Sequence, residues 1–225
     1  MKNRLISFVM IFMLSASFAM AQRSDSPGMS FGVLGGVNFQ NLNGKAFNGD
    51  KLNNDMLLGY HIGANVQIPI VPEFYFQPGI LLSTAGAKNK SDASTSTTKL
   101  TYIQVPLDFV YKGALGSGFV MVGFGPYLGY GIAGKVITKG DSPTVEQKIV
   151  FKSTVTASDN DQVPYYKAFD AGANVFAGYQ MGSGIFVQLD TQFGLSKINS
   201  KYEAFPEDKT SVKNTGFGLS LGYRF

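Results

Sequence analysis

From residue 29 onward the chain repeatedly alternates apolar residues with small or polar ones. The closing stretch, Lys213 to Phe225, shows this most plainly. One parity carries Phe217, Leu219, Leu221, Tyr223 and Phe225; the other carries Asn214, Gly216, Gly218, Ser220, Gly222 and Arg224. Successive side chains of a strand point to opposite faces, so this pattern predicts a strand with one oily wall and one small or polar wall. The chain ends on that strand with an aromatic residue. An outer-membrane barrel ends this way, its oily wall toward lipid and its other wall toward the lumen.

Seven earlier segments alternate in the same manner. Strand 1, about 29–39, turns Phe31, Val33, Val37 and Phe39 outward and Gly32, Gly36 and Asn38 inward. Strand 2, about 56–70, places Leu58, Tyr60, Ile62, Val66 and Ile68 outside, with His61, Asn65 and Gln67 inside. In strand 3, about 73–85, Phe74, Phe76, Ile80 and Leu82 oppose Tyr75, Gln77 and Ser83. Strand 4, about 99–112, sets Ile103, Val105, Leu107, Phe109 and Tyr111 against Tyr102, Gln104, Asp108 and Lys112. Strand 5 covers about 118–134. Strand 6, about 167–181, sends Phe169, Val175 and Tyr179 out and Asp170, Asn174 and Gln180 in. Strand 7, about 184–196, has Ile185, Val187, Leu189, Phe193 and Leu195 out and Gln188, Asp190 and Gln192 in. Each is long enough for a tilted crossing of roughly 9–11 residues. With strand 8 they make an even set, as bacterial barrels require.

Residues 113–134 contain no charge and are long enough to suggest a membrane helix, but they hold eight glycines and Pro126. Those residues are costly inside a helix. Gly123, Gly125, Gly129 and Gly131 share one parity, opposite Val122, Phe124, Leu128 and Tyr130. A crowded lumen accounts for that segregation and a helix does not. The connections alternate as well: Val71-Pro72, Gly113 to Ser117 and Gly182-Ser183 are short, whereas about 40–55, 86–98, 135–166 and 197–211 are long and polar. Short turns on one side and long loops on the other predict an eight-stranded antiparallel transmembrane β-barrel of OmpA/OmpX-like size, with four long exterior loops. A further alternating run sets Val145, Ile149, Phe151 and Val155 against Glu146, Lys148, Lys152 and Thr154. Counted as a ninth membrane strand it would turn the carboxyl end outward, so it is expected to extend strand 5 as an exposed hairpin arm.

The other end of the chain carries an address. Lys2 and Arg4, an apolar run from Leu5 to Leu14 and Ala19-Met20-Ala21 read as a signal peptide, cut before Gln22. The expected organisation is a signal peptide at 1–21, a short segment at 22–28 and one barrel domain at 29–225. The chain has no cysteine, which excludes disulfides, thiolate catalysis and a lipid-anchored lipoprotein. Of its 19 Lys and Arg residues, Lys2 and Arg4 leave with the signal, so 17 basic residues face 15 acidic ones and the net charge is +2. Neither that balance nor export suits a nucleic-acid partner.

The inward charges are Asp108, Asp170, Asp190, Lys112 and Arg224, with Glu73 at the lower rim and His61 as the single histidine. An eight-stranded barrel is just wide enough for side chains to fill. Together with Gln77 and Gln188 these residues are expected to form a lumen polar network of paired, buried groups. Catalysis would instead need His61 beside Asp170 or Asp190 and open to substrate. Neither reading makes a wide pore, and no enzyme activity, cofactor or metal is expected. Gly32-Val-Leu-Gly35-Gly36 lacks the strand-helix context of a phosphate loop. Ser158-Asp159-Asn160-Asp161 lacks EF-hand spacing and reads as a solvated loop. The Ser/Thr-rich stretch from Lys88 to Lys99 reads as a surface loop whose lysines could touch lipopolysaccharide phosphates.

Gly35-Gly36-Val37-Asn38, Tyr102-Ile-Gln-Val-Pro-Leu107, Gly125-Pro-Tyr-Leu-Gly-Tyr130, Phe169-Asp-Ala-Gly172 and Leu221-Gly-Tyr-Arg-Phe225 together resemble the PorT-like outer-membrane β-barrel family. The resemblance spans roughly 29–225 and marks strands, not an activity. It implies an outer-membrane location, and it implies that barrel-assembly machinery reads Tyr223 and Phe225 as an assembly signal. It also allows a transport or protein-secretion role. The first function class expected is a structural or interaction protein of the outer membrane that meets lipid, lipopolysaccharide and an envelope or extracellular protein partner through its loops. The competing architecture is a soluble, lipocalin-like barrel with its oily face around a ligand.

Overall fold

The computed structural model describes residues 28–91, 93–140 and 143–225; the expected signal peptide and all but the last residue of the 22–28 segment lie outside them. Eight strands make the wall: β1 (Ser30–Lys45), β2 (Leu57–Val71), β3 (Phe74–Lys90), β4 (Ser94–Leu115), β5 (Gly118–Gly140), β6 (Phe169–Met181), β7 (Ile185–Gly194) and β8 (Ser211–Arg224). Each pairs antiparallel with its neighbours in sequence, and β8 returns to β1, from Gly32 opposite Arg224 to Lys45 opposite Ser211. The ring is therefore closed and leaves no edge strand. In hydrocarbon this matters, because every backbone amide and carbonyl needs a protein partner.

The burial pattern follows the predicted parity. Phe31, Val33, Tyr60, Ile62, Ile80, Phe109, Phe124, Leu189, Leu219 and Leu221 are exposed around the outside. Gly123, Gly125, Gly129 and Gly131 lie buried on the inner wall. Several aromatics on neighbouring strands pack ring on ring, as Phe74 does on Tyr111 at 5.2 Å and Phe39 on Phe217 at 4.9 Å between centroids. An outward apolar face is stable only against lipid, so the soluble lipocalin-like alternative is set aside.

Three turns close one end: Pro72-Glu73, Gly116-Ser117 and Gly182 to Gly184. Gly116 and Gly184 sit at φ +62° and +94°, where a side chain would be strained. The other end differs from the sequence expectation. The segment at 86–98 is mostly strand, with β3 running to Lys90 and β4 starting at Ser94. β4 and β5 reach 22 and 23 residues, about twice a membrane crossing. They rise above the lipid band as a tall hairpin. The run at 145–155 splits in two: Val145–Lys148 pairs with β5 as the expected arm, but Ile149 onward turns over the barrel mouth.

Candidate functional site

Because every second residue of each strand points inward, the lumen is a stack of layers set by sequence parity. Lowest is a polar rim. The Arg224 guanidinium donates to Gln77 Oε1 at 3.1 Å, and Gln67 Nε2 donates to the same oxygen at 2.8 Å. Arg224 stacks over Phe186 at 5.4 Å, and Lys112 lies 4.7 Å from the Phe119 ring centroid. Desolvated cations gain from aromatic faces in this way. Room for the guanidinium comes from Gly32, whose missing Cβ would lie 3.2 Å from Arg224 Cζ and 2.8 Å from Asn65 Oδ1.

Above the rim, Leu34, Val110, Met121, Phe176 and Phe186 pack into an apolar floor. The expected polar network did not include this layer. It is legible in the chain, since all five sit on inward parity.

The polar middle follows. Asn38 Nδ2 donates to Ser83 Oγ at 3.1 Å and turns its Oδ1 toward His61 Nδ1, which therefore carries the ring proton. His61 Nε2 is then the acceptor for Ser220 Oγ at 2.7 Å, and Ser220 Oγ lies 3.4 Å from Asp190 Oδ1. Across the lumen Asn174 Nδ2 donates to Asp108 Oδ1. His61, Asp108, Gln188 and Asp190 line one cavity of about 70 Å³, room for a few waters. The sequence of Asn38, His61 and Ser220 has the order of a hydrolytic triad. Ser220 is only 1% exposed, and a cavity of this size admits no acyl substrate.

Asp170 sits apart from that cavity, fully buried and higher in the lumen. It accepts from Tyr127 Oη at 3.1 Å, Asn214 Nδ2 at 2.8 Å and Ser196 Oγ at 2.9 Å. Here the expectation of paired charges is corrected. Among the described residues none of Asp108, Asp170 and Asp190 forms an ion pair with Lys112 or Arg224; the salt bridges lie in the exterior region. Neutral amides and hydroxyls hold the acids; aromatic rings, with the Gln77 amide oxygen for Arg224, hold the bases. The eight residues of the expected network thus divide among three levels: Gln77, Lys112 and Arg224 at the rim, His61, Asp108, Gln188 and Asp190 at the cavity, and Asp170 beneath the lid.

That lid is the part sequence reasoning missed. Leu42, Ala85, Ala87, Leu100, Tyr102 and Val212 from the strand tops pack with Ile149 and Ile198 from two exterior loops, and Leu52 and Phe151 lie against them. Gly131 leaves space for Phe151, whose Cε1 would stand 2.5 Å from a Cβ there. A short parallel pairing of Val150–Phe151 with Tyr165–Tyr166 braces the longer loop, and a second, of Thr154–Val155 with Lys201–Tyr202, ties the two loops to each other. Ser200 Oγ donates to Lys152 O at 2.6 Å, and Lys167 N donates to Ile198 O at 2.7 Å. The alternating run had marked Ile149 and Phe151 as one face. Ile198, alone among Lys197, Asn199 and Ser200, carries no periodic signal at all.

At the other end Tyr223 and Phe225 are exposed and meet edge to face at 5.0 Å. The Arg224 amide donates to Gly184 O at 2.8 Å and the Phe225 amide to Phe31 O at 2.8 Å, so the last residues are held by both neighbours in the ring.

Comparison with known proteins gives a family and similar solved structures. The family model described as outer membrane protein beta-barrel domain matches residues 20–200. No curated protein matches the chain. Among solved structures, the chain is similar to Ail, the attachment invasion locus protein of Yersinia pestis, in complex with the heparin analogue sucrose octasulfate. That match has 14% identity and a TM-score of 0.41, and covers 88% of this chain and 99% of that one. A second crystal structure of Ail aligns at 16% identity and a TM-score of 0.40, over 89% of this chain and 100% of that one.

Proposed function

The chain belongs to the outer membrane protein beta-barrel domain family, and from that premise we propose a structural and interaction protein that works through its exterior surface rather than through its lumen. The observation that carries this reading is the double closure of the barrel. An apolar floor and an apolar lid bracket a cavity of about 70 Å³, while the exterior loops are bonded to one another into an ordered crown. Such a crown presents a fixed surface to an envelope or extracellular protein partner, and fixed surfaces bind with less ordering cost. No catalytic step is assigned. The chain is exported on a signal peptide cut before Gln22, which amino-terminal sequencing of the mature protein tests.

The lumen part of the reading is tested in planar bilayers. Purified, refolded protein gives no conductance above background. Steady conductance at the level of an open channel would favour the PorT-like transport or secretion role.

Assembly has its own test. Tyr223 and Phe225 form the signal read by the barrel-assembly machinery. Phe225→Ala removes at most about 3 kcal/mol of apolar burial, so it lowers the folded, heat-modifiable fraction in the outer membrane far more than it lowers urea stability in detergent. Normal membrane assembly of the variant would reduce Phe225 to an anchor.

A further inference from the structure

Three lysines stand in a row across the exterior arm. Lys99 on β4 is the register partner of Lys135 on β5, and Lys135 is the register partner of Lys148 on the Val145–Lys148 strand. Residues directly opposite share a face, and like charges so placed repel one another. One neighbour offsets part of this. Both carboxylate oxygens of Glu146 lie 3.1 Å from Lys135 Nζ. The row keeps a surplus of positive charge on the outer face of the barrel.

Its height is set by the strands. Ile103, four residues below Lys99 on β4, faces lipid, as does Ile132, three residues below Lys135 on β5. At about 3.3 Å per residue along a strand tilted by about 40°, the row lies about 8–10 Å above these two residues. That is headgroup level in the outer leaflet. Beside the row opens a hollow of about 630 Å³, lined by Ile132 together with Leu58 and Tyr60, which are 63% and 59% exposed. Lys99, Lys135 and Lys148 belong to the same hollow. Basic groups and exposed apolar groups lining one hollow, at that depth, match a ligand that joins phosphates to acyl chains. Strands stand about 4.8 Å apart, so the row is about 10 Å long, wider than one phosphodiester reaches.

We propose that Lys99, Lys135 and Lys148, with the hollow they line, bind a multiply phosphorylated, acylated glycolipid of the outer leaflet. The site lies on the outer wall and is independent of what the crown binds, so it stands whether or not the lumen conducts. Neutralising the row also removes the cross-strand repulsion, which gives the proposal a sign that a merely structural arm would not share.

The test uses the full mature chain, refolded in detergent, with bisphosphorylated hexa-acyl lipid A as the probe and native mass spectrometry as the readout. One lipid A is retained per barrel. K99Q/K148Q weakens retention about tenfold, removal of the lipid phosphates weakens it similarly, and added salt weakens it further. The same variant without lipid unfolds at an equal or higher temperature than the wild type. Should the double variant fail the heat-modifiability check for folding, K148Q serves alone, because Lys148 lies outside the eight-strand ring; it weakens retention about threefold. Equal retention by folded variants would overturn the proposal. So would lysine-dependent binding of a sulfated octasaccharide without any binding of lipid A, which would assign the row to a soluble polyanion.

Discussion

The two ends of the barrel are closed by different means. The periplasmic floor is made of strand residues, Leu34, Val110, Met121, Phe176 and Phe186, that point inward because of their parity. The exterior lid takes Ile149, Phe151 and Ile198 from loops that must fold back across the mouth. A residue carried on the wall is placed by the wall's own hydrogen bonds. A residue carried on a loop is placed only after that loop has found its neighbours. The floor should therefore fail together with the barrel, and the lid before it.

Breaking the floor should have the larger effect. Phe186→Ala opens a cavity against Phe176 and removes the ring beneath Arg224. The expected loss is about 3–5 kcal/mol, read as a lower urea midpoint for the whole barrel in detergent. Ile198→Ala deletes a fully buried side chain, and the expected loss is about 2 kcal/mol, at the low end for such a deletion, because the loop can yield locally. It appears as faster proteolysis and amide exchange in the exterior loops, with the urea midpoint of the barrel nearly unchanged. Equal loss of global stability in both variants would erase the distinction.

The smallest effect sharpens the lid side. Asp159 in the longest loop accepts from Lys152 Nζ at 2.6 Å and from the Thr156 amide at 2.8 Å. The Lys152 ammonium foremost, then the Thr156 amide, hold its carboxyl down at about 2. A carboxyl depressed on folding contributes stability that is complete above its unfolded value, about 3.9, and is lost as pH falls through about 2. The loop contact is thus intact from about pH 4 upward. Carboxyl NMR should show a midpoint near 2 for Asp159, moving toward 3.9 in Lys152→Gln.

The same contrast marks what could be read from the chain alone. Period-2 alternation over 29–225 determined the number of strands, which face meets lipid, and where the short turns fall. It also determined that Asp108, Asp170, Asp190, His61 and Arg224 point into the lumen. Parity is a local property: each side chain's face follows from its neighbour's, whatever lies across the barrel. Tertiary structure decided everything that depends on which strand stands beside which. It put His61 on Ser220, 159 residues away, and gave Asp170 neutral partners on β5, β8 and the loop after β7. It drew Ile198 into the lid and aligned Lys99, Lys135 and Lys148 in a row. Those neighbours are fixed by ring closure and register, and a single strand's pattern carries no information about the register of its partner.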